Sequence, residues 1–415
     1  MKKLNLILAL AILLFACKND DDTIALCEKA TNITIQNITT STANITWNDP
    51  NNAGSYIIEF GVSGFMIGTG NSLVSSTTSI TLSNLNADST YDVYIQTLCS
   101  INNLSLNSNV VSFTTSPNPI IPDFRQNLSE LNIFKGDLGN LRPSDLTFEY
   151  NLHSSLFTDY AHKQRLIALP EGEKLTYDGD GLPLFPDNTV IIKTFYYNVD
   201  DRDESLGKTI IESRVLIKTN GLWETGDYKW NDSQTDAILD LNGSTVPVSW
   251  TDSDGNVNNI NYEIPSNTDC FTCHQTNGNK TPIGPKLRTL NFNVEGVNQL
   301  QTLINNNLLE GLSDPNSVNI LPKWDDSSFT LEERARGYFD INCAHCHIDG
   351  AYCANQSTLR LSFETPFNET NILNRKNSIL NRISTYNSGF SMPFIGTTIL
   401  HDEGVQLLQD YLNTL

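Results

Sequence analysis

Two pentapeptides constrain this chain more than anything else in it: Cys270-Phe271-Thr272-Cys273-His274 and Cys343-Ala344-His345-Cys346-His347. Both read C-x-x-C-H, the attachment pattern for c-type haem. Two thiols a single turn apart reach the two vinyl groups of one tetrapyrrole, and the adjoining imidazole reaches its iron. The competing reading is zinc, which also takes Cys and His. Zinc ribbons place their two C-x-x-C knuckles about 15–20 residues apart, much closer than these two motifs. The sequence therefore predicts two covalently held haem c groups. Cys270, Cys273 and His274 would hold one, and Cys343, Cys346 and His347 the other.

The N-terminus fits such chemistry, which belongs outside the cytoplasm. Lys2 and Lys3 precede an apolar run from Leu4 to Ala16, too short for a spanning helix and shaped like a secretory leader. Leu14-Phe15-Ala16-Cys17 resembles a lipobox, with a bulky Phe15 as its one departure. The resemblance implies cleavage before Cys17, lipidation of Cys17, and anchoring by acyl chains alone. The acidic stretch Asp20-Asp21-Asp22 that follows resembles the export signal of Bacteroidetes-type lipoproteins and reads equally well as a solvated linker. The expected location is extracytoplasmic, on the outer membrane, facing the periplasm or the cell surface.

Forty-seven acids against 26 bases leave a net charge of −21. That surface excludes nucleic acid and favours basic or neutral partners. The eight cysteines divide among these roles. Cys17 takes lipid and four take haem. Cys27 and Cys99 remain as an expected disulfide in an oxidising compartment, and Cys353 has no assigned role.

Residues 26–116 show short alternating runs separated by turns: Ile33–Ile35, Ala43–Trp47, Ser55–Phe60, Ser79–Leu82, Tyr91–Ile95 and Val110–Thr115. They predict a β-sandwich. Trp47, the segment Leu82 to Tyr91 with Ala87 in place of a usual Pro, and Phe113-Thr114-Thr115 resemble a fibronectin type III domain. The Pro-rich segment 117–122 reads as a linker. Residues 123–325 read as a β-rich first-haem domain, with strands over Thr189–Tyr197, Thr209–Thr219 and Asn259–Ile264, and with an amphipathic helix over Glu295–Leu309. The absence of a helical pattern before Cys270 argues against an ordinary cytochrome fold around that motif.

Residues 326–415 have a different grammar. Thr330 caps a helix running into Cys343, with Glu332 and Glu333 in its first turn. Ala335 and Phe339 share one face, and a last helix from Asp402 to Leu415 offers Leu408 and Tyr411. Met392 stands before Pro393 between them. Together these resemble an all-α class I cytochrome c domain, which implies Met392 as the distal ligand of the His347 haem.

No methionine remains for the first haem, since Met1 leaves with the leader and Met66 belongs to the sandwich. His162 and His153 are the candidate distal ligands, with Lys286 behind them; an open iron is the alternative. His345 and His401 read as packing or capping residues. From about residue 124 onward the chain resembles exported dihaem c-type cytochromes. The resemblance rests on Leu156–Tyr160 with Lys163 and Arg165, on Ile264-Pro265-Ser266, and on Arg334–Tyr338 with Asn342-Cys343. It implies one-electron transfer to a redox partner protein and no defined substrate. Two rivals stay open: a peroxidase-like haem oxidoreductase with an open site at the first haem, and a surface binding protein that uses the sandwich.

Overall fold

The computed structural model describes residues 26–415. The leader and Cys17 lie outside the described residues. The chain divides after Ser116 into two compact units.

The first unit is a sandwich of β1 (Thr31–Gln36), β2 (Ala43–Asn48), β3 (Tyr56–Val62), β4 (Asn71–Ser75), β5 (Ser79–Leu82), β6 (Thr90–Ser100), β7 (Asn103–Leu104) and β8 (Val111–Thr114). One sheet runs β1-β2-β5; the other runs β4-β3-β6-β7, with β8 also on β6. Alternation does the folding: Ala43, Ile45 and Trp47 of β2 turn inward while their neighbours face water. Trp47 meets Tyr56 edge-on at 5.1 Å. The Tyr91 hydroxyl accepts a hydrogen bond from the Asn86 amide at 2.9 Å, closing a tyrosine corner. Cys27 and Cys99 form the expected disulfide.

The second unit is built on a six-stranded antiparallel sheet. Its strands are β9 (Thr147–Glu149), β10 (His162–Ala168), β12 (Val190–Asn198), β13 (Lys208–Thr219), β14 (Leu222–Trp230) and β15 (Ala237–Leu239), in the order β15-β14-β13-β12-β10-β9. A short β11 (Leu175–Thr176) lies off the sheet. Period-2 patterning gives the sheet two different faces. Val190 and Ile192 pack with Leu128, Leu131 and Ile133 on one side. On the other, Ile191 and Leu216 join a core with α2 (Leu287–Leu290) and α3 (Gln299–Asn305). Farther along that face, Phe195 and Tyr197 are covered by the hairpin of β16 (Ser244–Thr251) and β17 (Val257–Ile264). The Asp252 carboxylate ties that hairpin's turn by accepting from the amides of Asp254 and Asn256.

The helix expected over Glu295–Leu309 is shorter than the sequence suggested. Glu295 and Gly296 both take positive φ, at 50° and 85°, and turn a small hairpin that pairs Val294 with Val297. Asn298 then caps α3. Leu309 leaves the helix altogether and pairs with Leu175 of β11. Beyond it come α4 (Leu331–Asn342), α5 (Ile372–Ile383) and α6 (Asp402–Thr414). Ala335, Tyr338 and Phe339 of α4 share a core with Leu407, Leu408 and Tyr411 of α6 and with Ile379 of α5. The described chain is therefore β-rich with a few helices. No helix among the described residues is long and apolar enough to cross a membrane.

Candidate functional site

The first C-x-x-C-H segment lies on α1 (Asn267–Cys273), a helix that starts within the motif's own approach. Ser266 and Asp269 form a reciprocal capping box at its start. Cys270 and Cys273, three residues apart, lie on one face, and His274 ends the helix. The chain then turns through β18 (Gln275–Thr276) and β19 (Asn279–Lys280), bringing the Thr281 carbonyl within 2.9 Å of His274 Nδ1. A carbonyl only accepts, so Nδ1 carries the proton and Nε2 keeps its lone pair. This is the arrangement in which a ligating imidazole is held by its other nitrogen. Burial pushes the His274 pKa down to about 4, so the ring is neutral.

The second segment follows α4, whose start carries a capping box between Thr330 and Glu333. The Asn342 side-chain oxygen at its end accepts from the Phe157 amide at 2.8 Å. His347 is buried, and burial pushes its pKa down to about 4 as well. Its buried Nδ1 has no hydrogen-bond partner among the described residues, and neither does that of His345.

Each motif faces a cavity. The first, of about 100 Å³, carries Cys270, Cys273 and His274 on its wall, together with Lys193 and Arg214 from the sheet. The second, of about 430 Å³, carries Cys343, Cys346, His347 and Met392 among apolar residues such as Phe339, Leu361, Ile379 and Phe394. Cys273, Asn342, His345, Pro393 and Ile395 line both. The motifs are fastened to each other as well. The Asn277 amide donates to the Gly350 carbonyl at 2.8 Å. Gly350 itself sits at φ +76°, where a Cβ would come within 2.2 Å of the Asn277 side-chain oxygen.

Along that shared wall one ligand atom each from Cys273, His345 and Cys346 lies within 4.8 Å of the others. Cys346 Sγ also lies 3.7 Å from the Thr272 carbonyl. A hydrogen bond from Cys346 holds the Cys273 thiol far below its ordinary pKa, and that same contact pushes Cys346 up. Interaction with Cys346 pulls Cys353 down to about 7, so this cysteine belongs to the same group of thiols. The Cys270 and Cys343 thiols, outside it, are pushed up to about 12 by burial.

The histidines expected near the first motif are elsewhere. His153 Nδ1 meets the Leu321 carbonyl at 2.9 Å, and its ring lies against Phe292. His162 Nε2 is 2.7 Å from the Asp201 carboxylate, and its ring stacks on Tyr196. Lys286 is 3.2 Å from Asp340. His401 precedes α6, stacked on Phe157 at 4.4 Å and hydrogen-bonded to the Tyr338 hydroxyl. None of these four lines either cavity. The wall residues missed in the sequence are Lys193 and Arg214; His345, read there as a packing residue, lines both cavities. A lysine inside the apolar run Val190–Phe195 was the available signal for the first.

The family model for the fibronectin type III domain matches residues 28–114. Similar solved structures include the fn3 domain of human contactin 1, at 19% identity over 21% of this chain and 77% of that one, with a TM-score of 0.20. The FN5 domain of Drosophila Lar is 13% identical over 22% of this chain and all of its own, with a TM-score of 0.19. The fn3 domain of human collagen alpha-1(XX) is 16% identical over 22% of this chain and 88% of that one, with a TM-score of 0.20. No curated protein matches the chain. The family match, the two-sheet strand order and the tyrosine corner agree: residues 28–114 are a fibronectin type III domain.

Proposed function

We propose that the chain is a lipid-anchored, extracytoplasmic dihaem c-type cytochrome that passes single electrons to a partner protein. The observation that carries this reading is the repeated setting of the two motifs. In each, both cysteines and a neutral imidazole line one cavity. When bound, haem supplies a one-electron iron couple. The residues supply the rest. Cys270 and Cys273, and Cys343 and Cys346, provide the thioether attachment points, and His274 and His347 the proximal nitrogens. Thr281 fixes the orientation of the His274 ring. Met392 is the one thioether on the second cavity's wall, suited to hold the distal side and favour reduced iron. The helix pair α4 and α6, with Ala335 and Phe339 against Leu408 and Tyr411, supports a class I cytochrome c-like C-terminal part. The shared wall separates the two cavities by a layer of side chains, which favours exchange between the groups they would hold.

The donor chemistry fits the cofactor. The second cavity is within the range of small-molecule sites, whereas the first is a narrower cleft.

The test is to produce the full chain with haem-attachment machinery, count haem by pyridine haemochrome, and record a carbon monoxide difference spectrum after reduction. Two haems per chain are expected, and none overturns the reading. Carbon monoxide binding at one of two haems selects an oxidoreductase with an open first site. No binding selects an electron carrier.

A second reading rests on the convergence of Cys273, His345 and Cys346, with the Cys353 amide 3.1 Å from the Cys346 carbonyl. Three thiols and an imidazole are a structural zinc set. Stoichiometric zinc in a haem-free chain as purified, lost in Cys353→Ala, would favour it.

A further inference from the structure

Three cations lie side by side across the central sheet. Strand register pairs Arg165 of β10 with Lys193 of β12, and Lys193 with Arg214 of β13. Ile191 and Leu216, each two residues along, line the first cavity with Lys193 and Arg214, so the row faces the cavity side of the sheet.

One of the three is accounted for. Glu212 accepts from Arg214 at 2.5 and 3.0 Å, and Asp227 lies 3.7 Å from the same guanidinium. Burial and the Glu212 charge push the Asp227 pKa well up. Arg165 and Lys193 are left over. Arg165 is 5% exposed, and its Nε has no partner. Among the described residues its guanidinium has one long hydrogen bond, 3.5 Å, to the Lys163 carbonyl. Lys193 has no hydrogen bond or carboxylate contact among the described residues; its ammonium lies 4.8 Å from the centre of the Phe195 ring. Burial, then Arg165, Lys163 and Arg214, push its pKa far down. Glu149 and Glu212 act on Arg165 and Lys193 only at a distance, so the row holds a buried guanidinium beside a lysine whose charged form is disfavoured, with no carboxylate in contact with either. That lack is the more telling in a chain with 47 acids to draw on.

We propose that Arg165 and Lys193, braced by Arg214, form a carboxylate-binding site at the edge of the first cavity, whose wall carries Lys193 and Arg214 while Arg165 lies beside Lys193 in register. A guanidinium beside an ammonium suits a carboxylate, taking one oxygen through a fork and the other as a point charge. The carboxylate comes from one of two sources. It is a propionate of a haem attached at Cys270 and Cys273, which rests on the function proposed above, or it is a free small organic acid.

The test titrates the full chain, produced with haem-attachment machinery, with sodium acetate against sodium chloride at equal ionic strength. Thermal unfolding is followed, and haem is counted on the same sample. If the site takes a free acid, acetate raises Tm by about 2–4 °C for each tenfold increase beyond half-saturation. Lys193→Gln abolishes that rise and Lys193→Arg keeps it. If a propionate fills the site, acetate leaves the haem-bearing chain unchanged, while a Cys270→Ala/Cys273→Ala chain gains the acetate response. In that case Lys193→Gln also shifts the pH dependence of the first haem's reduction potential. The proposal is overturned when acetate is inert in both chains and the potential's pH profile is unmoved. A haem-free first motif ends the cytochrome reading but not the acid site, which acetate titration of that haem-free chain then decides. Should Lys193→Gln not fold, the wild-type and Lys193→Arg titrations carry the decision.

Discussion

The same five-residue pattern is set in two different environments. The first copy sits on a short helix laid against a β-sheet, with Lys193, Arg214 and Asp269 on its cavity wall. The second follows a full helix and looks into a larger cavity walled by Phe339, Leu361, Ile379 and Met392. His274 is oriented by the Thr281 carbonyl, whereas His347 Nδ1 has no partner among the described residues. On the proposed reading, attachment chemistry is common to both sites and tuning is not. A thioether and apolar walls favour the reduced state at one, whereas the other has charged walls that carry Lys193, Arg214 and Asp269.

Asp340 tests whether these environments are independent. It accepts from Arg288 at 2.8 Å and from the Phe363 amide, and it pairs with Lys286. It thus joins the segment after the first motif to the helix before the second. Asp340→Ala leaves Lys286 unpaired and Arg288 with Glu364 alone, and should cost about 3–5 kcal/mol, read from urea unfolding. Unchanged stability would mean that the two sites stand on separate supports. Burial raises this carboxyl's pKa, but Lys286 and Arg288 outweigh burial and hold it below the ordinary 3.8. A depressed folded pKa gives stability that is present above the unfolded value and lost as pH falls through the folded one. Asp340→Asn should therefore flatten the acid limb of a stability–pH profile below about pH 4.

Gly404→Ala addresses the second environment alone. A Cβ there would lie 2.4 Å from the Tyr338 ring, where α6 crosses α4. The expected cost is about 1–3 kcal/mol, with the first site's spectrum unaltered; a change there would erase the distinction. Met392→Ala should cost about 1–2 kcal/mol. On the proposed reading it adds one carbon monoxide-binding haem, and an unchanged spectrum would remove Met392 as a ligand. The smallest effect belongs to the sandwich: Tyr91→Phe deletes the hydrogen bond from Asn86 and should cost about 1 kcal/mol. Both cavities should be indifferent to it.

Local signals carried much of the architecture. The run of β-branched and aromatic residues over Thr189–Tyr197 marks β12 (Val190–Asn198) to within a residue, and Thr330 with Glu333 marks the start of α4. The sandwich was legible for the same reason, since its strands are short, half-buried and bounded by turns. What escaped depended on non-local placement. α5 is an exception: Ile372, Ile379, Leu380 and Ile383 recur at helical spacing, a local signal that went unused. The row Arg165–Lys193–Arg214 exists only because three strands pair in one register. Periodicity shows which way a side chain points, not what lies opposite. His153 and His162 failed as neighbours of the first cavity because each finds a partner where its own segment lies.

The walls of the first cavity also impose an order of events. Its cysteines lie at 270 and 273, yet Asn342, His345, Pro393 and Thr397 help to enclose it. A chain emerging from its N-terminus exposes the first pair of thiols long before the residues that will seal them in. On the proposed reading, attachment at those sulfurs has its opening during that interval, and the segments carrying Asn342, His345 and Pro393 to Thr397, arriving last, close over it.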